Sequence, residues 1–257
     1  MRYAKGTVSV SELRDIPLLL LVRNSKFISH SQLFELMKLA STEYSRESFA
    51  WRVQRLVAGN YISRCEGDFG NGTIVYRITH RGLIQLESHC HYATVLNSRT
   101  QHLPHPSHAY HALELNAVRL ALARGNVLLS WKSDVETASE NTISTNPLDK
   151  DYDAIVNVWN QDCAAAFGLE YERSIKGAQR YEQIRLALET ESKLSCVLYL
   201  AAGEEIAGHL AAQLSGIPKR LAFASSRAFQ ETLLDTMVIL DPGRPRVPFR
   251  SQLHGVF

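Results

Sequence analysis

Apolar side chains return at helical spacing three times near the start of the chain. Over residues 11–23, Leu13, Ile16, Leu20 and Leu21 keep near-helical intervals, with Ser11 as a candidate N-cap and Pro17 disturbing the pattern. SHSQLFELMKLAS predicts a second helix, capped by Ser29 or Ser31 and striped by Leu33, Leu36, Met37 and Ala40. SRESFAWRVQRLVAGNYI predicts a third, in which Ser45 caps, Phe49, Val53, Leu56 and Val57 share a face, and Gly59-Asn60 ends the run. Its other face presents Glu47, Ser48, Trp51, Gln54 and Arg55, flanked by Arg46 and Arg52. Residues 61–65 and IVYRIT then read as two short strands around the turn-rich EGDFGNGT, and residues 79–88 as a helix packing through Leu83, Ile84 and Leu86.

From Tyr110 the pattern changes. HALELNAVRLALARG predicts a helix, VLLSWKSDVET a strand, and the polar residues 137–150, with Pro147, a loop. YDAIVNVW and AAAFGLEYE predict strands joined at Asn160-Gln161-Asp162. Residues 175–189 follow as a helix through Tyr181, Ile184 and Leu188, then SCVLYLAA, EEIAGHLAAQLSG and KRLAFASS as strand, helix and strand. Such alternation predicts an α/β sandwich with a mixed sheet. The tail, with Pro242, Pro245 and Pro248 among Arg244, Arg246 and Arg250, reads as an extended arm rather than a core element, suited to holding a second subunit or touching phosphate. The expected organisation is a domain at residues 1–90, a His-rich connection at 91–109, an α/β domain at 110–240 and the Pro/Arg-rich tail at 241–257, α+β overall.

At 257 residues and 45% hydrophobic, the chain is long and apolar enough for two domains, each with a core. Net charge is only +2, but residues 1–90 hold twelve Lys/Arg against eight Asp/Glu and the remainder sixteen against eighteen. The basic excess therefore sits in the first part. Cys65, Cys90, Cys163 and Cys196 form no CxxC, which argues against a zinc ribbon or a disulfide framework and fits a reducing compartment. The apolar run at residues 16–22 is too short to span a bilayer and lacks a cleavage pattern, so no membrane partner and a cytoplasmic, nucleoid-associated location are expected.

The order of three helices, a hairpin with a glycine-rich tip and a fourth helix resembles the winged helix-turn-helix family, most tellingly in VQRLVAGNYISR and VYRITHRGLIQL. The resemblance implies double-stranded DNA as partner, with the third helix in the major groove: Ser45, Arg46, Ser48, Trp51, Arg52 and Arg55 become the readers, and Arg64, Asn71, Thr73 and Arg77 the wing contacts. Arginine suits guanine edges and phosphate alike, while serine and backbone amides fix register. Such readers usually work as homodimers, and binding of this kind requires no cofactor.

Two further constellations invite metal chemistry. Six histidines fall in residues 89–111, but Pro104 and Pro106 and the uneven spacing suit a connection better than a fixed tetrahedral site. In the α/β part, strand spacing puts Glu170 and Glu172 on one face, where they could converge with Asp153, and with Glu114 on the preceding helix, on a divalent cation. This set resembles the PD-(D/E)XK nuclease fold, although DYDA lacks the proline and Glu172 stands where that family has lysine. Lys176 offers only a displaced positive charge. Across residues 10–230, HALELNAVRLAL, DYDAIVNV, FGLEYERSIKGAQRYEQI and CVLYLAAGEEIAGHLAAQL resemble the replication-relaxation family of plasmids and mobile elements, a winged helix followed by a nuclease-like domain. That resemblance implies a regulator of transcription or replication whose degenerate nuclease-like domain dimerises or senses a partner. The alternatives are a Mg²⁺-dependent endonuclease, with Asp153, Glu170 and Glu172 at the metal and Lys176 supporting the water, and a protein-interaction module of a replication or defence complex, with Trp51 at the contact.

Overall fold

The computed structural model describes residues 9–70, 72–100 and 103–253, and the chain divides into two compact units between Asn116 and Ala117. The first opens on α1 (Asp15–Ser25), which starts later than the Ser11 cap expected for it. Ser11 forms the turn ahead of the helix: its carbonyl accepts the Asp15 and Ile16 N–H groups, and its own N–H donates to the Asp15 carboxylate at 2.7 Å. Pro17 thereby falls in the first helical turn, where a missing N–H costs no intrahelical bond. After β1 (Ile28–Ser29), α2 (His30–Leu39) is capped by Ser29 in a reciprocal capping box with Gln32. α3 (Arg46–Ala58) is capped by Ser45, whose hydroxyl accepts the Ser48 N–H.

β2 (Ile62–Arg64) and β3 (Val75–Ile78) form the expected antiparallel hairpin, and β1 pairs with the free edge of β3, a strand too short for hydrophobic periodicity to announce. α4 (His80–Glu87) follows, capped by Thr79. Leu18, Leu19, Val22, Phe27, Phe49 and Leu56 are buried in this unit's core. The segment expected as a connection at 91–109 packs with it through its described residues: Ala93 and Leu96 are buried, and Arg23 donates to the His91 carbonyl at 2.8 Å. Asn71 and His102 lie outside the described residues.

The second unit takes over partway along α5 (Ala109–Arg124). It continues through β4 (Leu128–Ser133), α6 (Asp134–Ile143), β5 (Ala154–Asn160), β6 (Cys163–Glu172), α7 (Ala178–Thr190), β7 (Cys196–Ala201), α8 (Glu204–Gln213), β8 (Arg220–Ser225) and α9 (Ser226–Thr232). The mixed α/β architecture expected from the alternation is present as a five-stranded sheet in the order β4-β5-β6-β7-β8, antiparallel through β6 and parallel from β6 to β8. β5 and β6 are joined by a two-residue turn in which Asn160 pairs with Cys163 and Gln161 takes a φ of 57°. Val197, Tyr199 and Ala201 of β7 face a core that also holds Tyr181, Ile184 and Leu188 of α7 and Ala207, Leu210 and Ala211 of α8.

Two expectations are overturned here. The polar stretch expected as a loop begins with α6, because Ser133 and Glu136 form a capping box that stops the strand and starts a helix. The tail is not a free arm either. β9 (Met237–Val238) pairs with β10 (Val247–Pro248), and Phe249 is fully buried, its ring 5.1 Å from that of Phe167 and 6.2 Å from that of Phe229. Its arginines serve as surface ties, Arg246 to Glu204 at 2.7 Å and Arg250 to Asp235 at 2.5 Å.

Candidate functional site

The first unit gathers its polar groups where α2, α3 and the hairpin meet. A groove of about 420 Å³ is bordered by His30 and Ser31 from the first turn of α2, Gln54 from α3, and Arg64, Thr73 and Tyr76 from the hairpin. Tyr76 anchors it: its ring is buried and its hydroxyl lies 3.1 Å from His30 Nδ1. The His30 ring also packs edge-on against Phe49, 5.0 Å between centroids. Burial, and then the positive charges of Arg64 and Arg46, hold the His30 imidazole below its ordinary pKa, so the neutral form is favoured. The charges of Arg64, which lines the groove, and of Arg46, which does not, thus both act on one histidine.

The expected α3 readers divide by burial. Arg46 is exposed, its guanidinium 5.2 Å from the Phe34 ring centroid and 3.8 Å from Glu35. Trp51 is 64% exposed, with the Arg55 guanidinium 5.4 Å from its ring centroid, and the Ser45 hydroxyl is spent on the helix cap, accepting the Ser48 N–H. Arg52 is a correction to the expected set: it is 5% exposed, bonded to Asp15 at 3.2 Å and to Glu43 at 3.0 Å, both buried, and has no surface to offer a ligand. Arg55 is partly withdrawn as well, ion-paired to Asp15 and donating to the Ser9 carbonyl. On the hairpin Arg64 is exposed, Thr73 half-buried, and Arg77 half-buried with its Nε on the Ser63 hydroxyl at 3.3 Å. His30, Ser31 and Tyr76 were not among the expected residues; the signal for the first two is their place just inside the Ser29 capping box, where orphan N–H groups collect.

The second unit brings Asp153, Glu170 and Glu172 into one electrostatic neighbourhood at the carboxyl end of β6. Asp153 stands just before β5 and accepts the Tyr171 N–H at 2.8 Å. Glu170 and Glu172 both turn into the protein, as their strand spacing predicts, at 8% and 5% exposure. Each carries its own ammonium partner: Lys150 bonds Glu170, and Lys176 bonds Glu172 at 2.5 Å. Burial lifts the Glu170 carboxyl to about 7, with Lys150 opposing the rise and Asp153 and Glu172 adding to it. The phenol oxygens of Tyr152 and Tyr199 are buried without a hydrogen-bond partner among the described residues, and burial raises both their pKa values.

This donor set does not fit a divalent cation. Lys150 and Lys176 already occupy the two glutamates and Asp153 serves a backbone N–H, so a metal would have to displace two ammonium groups. Glu114, expected to join the set, lies in the first unit. Among the described residues no group of three or more His, Cys, Asp or Glu side chains is arranged to hold a metal ion, in the His-rich segment or elsewhere. Also among them, no helix is long and apolar enough to cross a membrane. Comparison with protein-family models, curated proteins and solved structures returns no match.

Proposed function

We propose that this chain is a DNA-binding regulator of transcription or replication, in which the first unit acts on duplex DNA as a winged helix-turn-helix. The observation that carries the reading is the groove between α2, α3 and the hairpin, where Arg64 stands with Ser31, Thr73 and Tyr76 and the charge of the exposed Arg46 also reaches His30. Hydroxyl and guanidinium donors converging on an open groove suit phosphate oxygens, and the exposed side of α3 between Arg46 and Gln54 is left for base edges.

The second unit serves as a degenerate nuclease-like domain that pairs copies or receives a partner. Its helix, three antiparallel strands, crossover helix and parallel strand follow the order such a domain needs, with α6 inserted between the first two strands, and the engagement of its carboxylates by lysines supports a role without metal chemistry. Titration of the full chain against labelled duplex at a series of salt concentrations tests the proposal. Affinity should fall log-linearly with salt, and the Arg46→Ala/Arg64→Ala double variant should lower the slope by about 2. No binding at the lowest salt would remove the reading. One observation favours a protein-interaction module instead: Trp51 is 64% exposed on the outer face of α3, and its signature would be stable partner capture without DNA affinity.

A further inference from the structure

The second unit contains a larger cavity, about 720 Å³, at the amino ends of β7 and β8. Its walls come from the α7–β7 connection, the α8–β8 connection and the segment after β9, with Leu194, Ile217 and Leu221 as a buried apolar lining. A space of this size suits a small organic molecule rather than a chain segment.

The charges around it are unevenly satisfied. Glu191 is buried and uses both carboxylate oxygens, accepting the Asp149 N–H at 2.9 Å and the Lys193 N–H at 2.7 Å. Glu189 has Arg185 at 3.9 Å, and Asp241 has Arg244 at 3.6 Å. The cations are less well provided. The Lys219 Nζ is buried in the wall with no hydrogen-bond partner among the described residues, although an ammonium group has three N–H donors to place. Next to it, Arg220 spends one nitrogen on the Gln252 carbonyl at 3.1 Å. Ser192 and Ser195 line the same walls, as does Ser215, whose hydroxyl donates to the Ala212 carbonyl at 3.0 Å.

A buried donor left without an acceptor is costly, and native proteins rarely keep one unless something else supplies the acceptor. We propose that this cavity is an effector site for a small organic anion, whose phosphate or carboxylate oxygens take the Lys219 ammonium and the Arg220 guanidinium while its apolar body lies on Leu194, Ile217 and Leu221. Burial lowers the Lys219 pKa, with Glu191 and Asp149 opposing the fall, and a bound anion adds to that opposition. The site is independent of the DNA-binding reading, since its lining belongs wholly to the second unit.

Thermal melting of the full chain with increasing inorganic phosphate or citrate, each against sodium chloride at matched ionic strength, tests this directly. A ligand that binds only the folded state raises Tm with concentration. At least one of the two anions should raise Tm beyond the chloride control; both also stabilise folded proteins by exclusion from the surface, so the site is read as the part of that excess which wild type shows and Lys219→Met does not, and the anion with the larger such part separates a phosphate site from a carboxylate site. In Lys219→Met that excess should shrink for at least one of the anions while the melting point without anion stays level or rises, because the unsatisfied amine is gone. If Lys219→Met does not fold, Arg220→Gln, altered at the rim, should reduce the excess instead. No excess with either anion, or the same excess in wild type and the folded variant, would overturn the proposal.

Discussion

Three arginines on α3 lie within one helix and do different work. Arg46 is exposed, Arg55 is half-withdrawn, and Arg52 is locked between the buried carboxylates of Asp15 and Glu43. Removing one member of a buried ion pair leaves its partner charged and unsolvated, so Arg52→Ala should cost about 3–5 kcal/mol in chemical denaturation, whereas Arg46→Ala should change stability by less than about 0.5 kcal/mol. Sequence alone could not separate them: Arg52 stands three residues after Phe49 and four before Leu56, at the margin of the apolar stripe, and its partners are distant in the chain. Glu170 gives a second test, through pH. Its folded pKa of about 7 lies above the unfolded value near 4.5, so its share of stability is complete below pH 4.5 and is lost as pH rises through 7. Glu170→Gln removes that titration; the stability of the variant relative to wild type should therefore climb by about 2–3 kcal/mol between pH 5 and pH 8, read from urea midpoints at each pH. A flat difference would mean that the carboxyl is ionised throughout.

At the scale of elements, close packing sets what the sheet tolerates. Gly168 on β6 lies under the Tyr152 ring, where a Cβ would stand 2.9 Å from two ring carbons. Gly168→Val should lift the ring, cost about 1–3 kcal/mol and alter the tyrosine near-ultraviolet dichroism; an unchanged signal would show that the ring does not depend on the glycine. The strands were legible because their burial follows simple rules: β5 alternates between buried positions and half-buried or exposed ones, and β7 is buried throughout. α6 was written in the sequence as Ser133-x-x-Glu136, but its buried face is Val135, Thr137 and Ser139, too polar to register as an apolar stripe. The tail was obscured differently, since its apolar anchor Phe249 sits among prolines and meets Phe167 and Phe229, residues that proximity in the chain does not reveal. For the same reason the groove residues His30 and Tyr76 went unnoticed, their contact spanning two elements far apart in sequence.

For the whole molecule, the proposal joins a DNA-binding first unit to a second whose carboxylates are neutralised by lysines. The sequence placed Asp153, Glu170 and Glu172 together, and the structure adds that Lys150 and Lys176 hold the two glutamates; that pairing depends on side-chain approach, which strand spacing does not encode. The most direct measurement incubates supercoiled plasmid with wild type, Arg46→Ala/Arg64→Ala and Asp153→Ala, with and without Mg²⁺, and scores mobility shift and strand scission in one gel. Wild type and Asp153→Ala should give a salt-sensitive shift, the double arginine variant a weakened one, and no lane should show scission. Wild type that fails to shift DNA, or Mg²⁺-dependent scission that disappears in Asp153→Ala, would contradict the proposal.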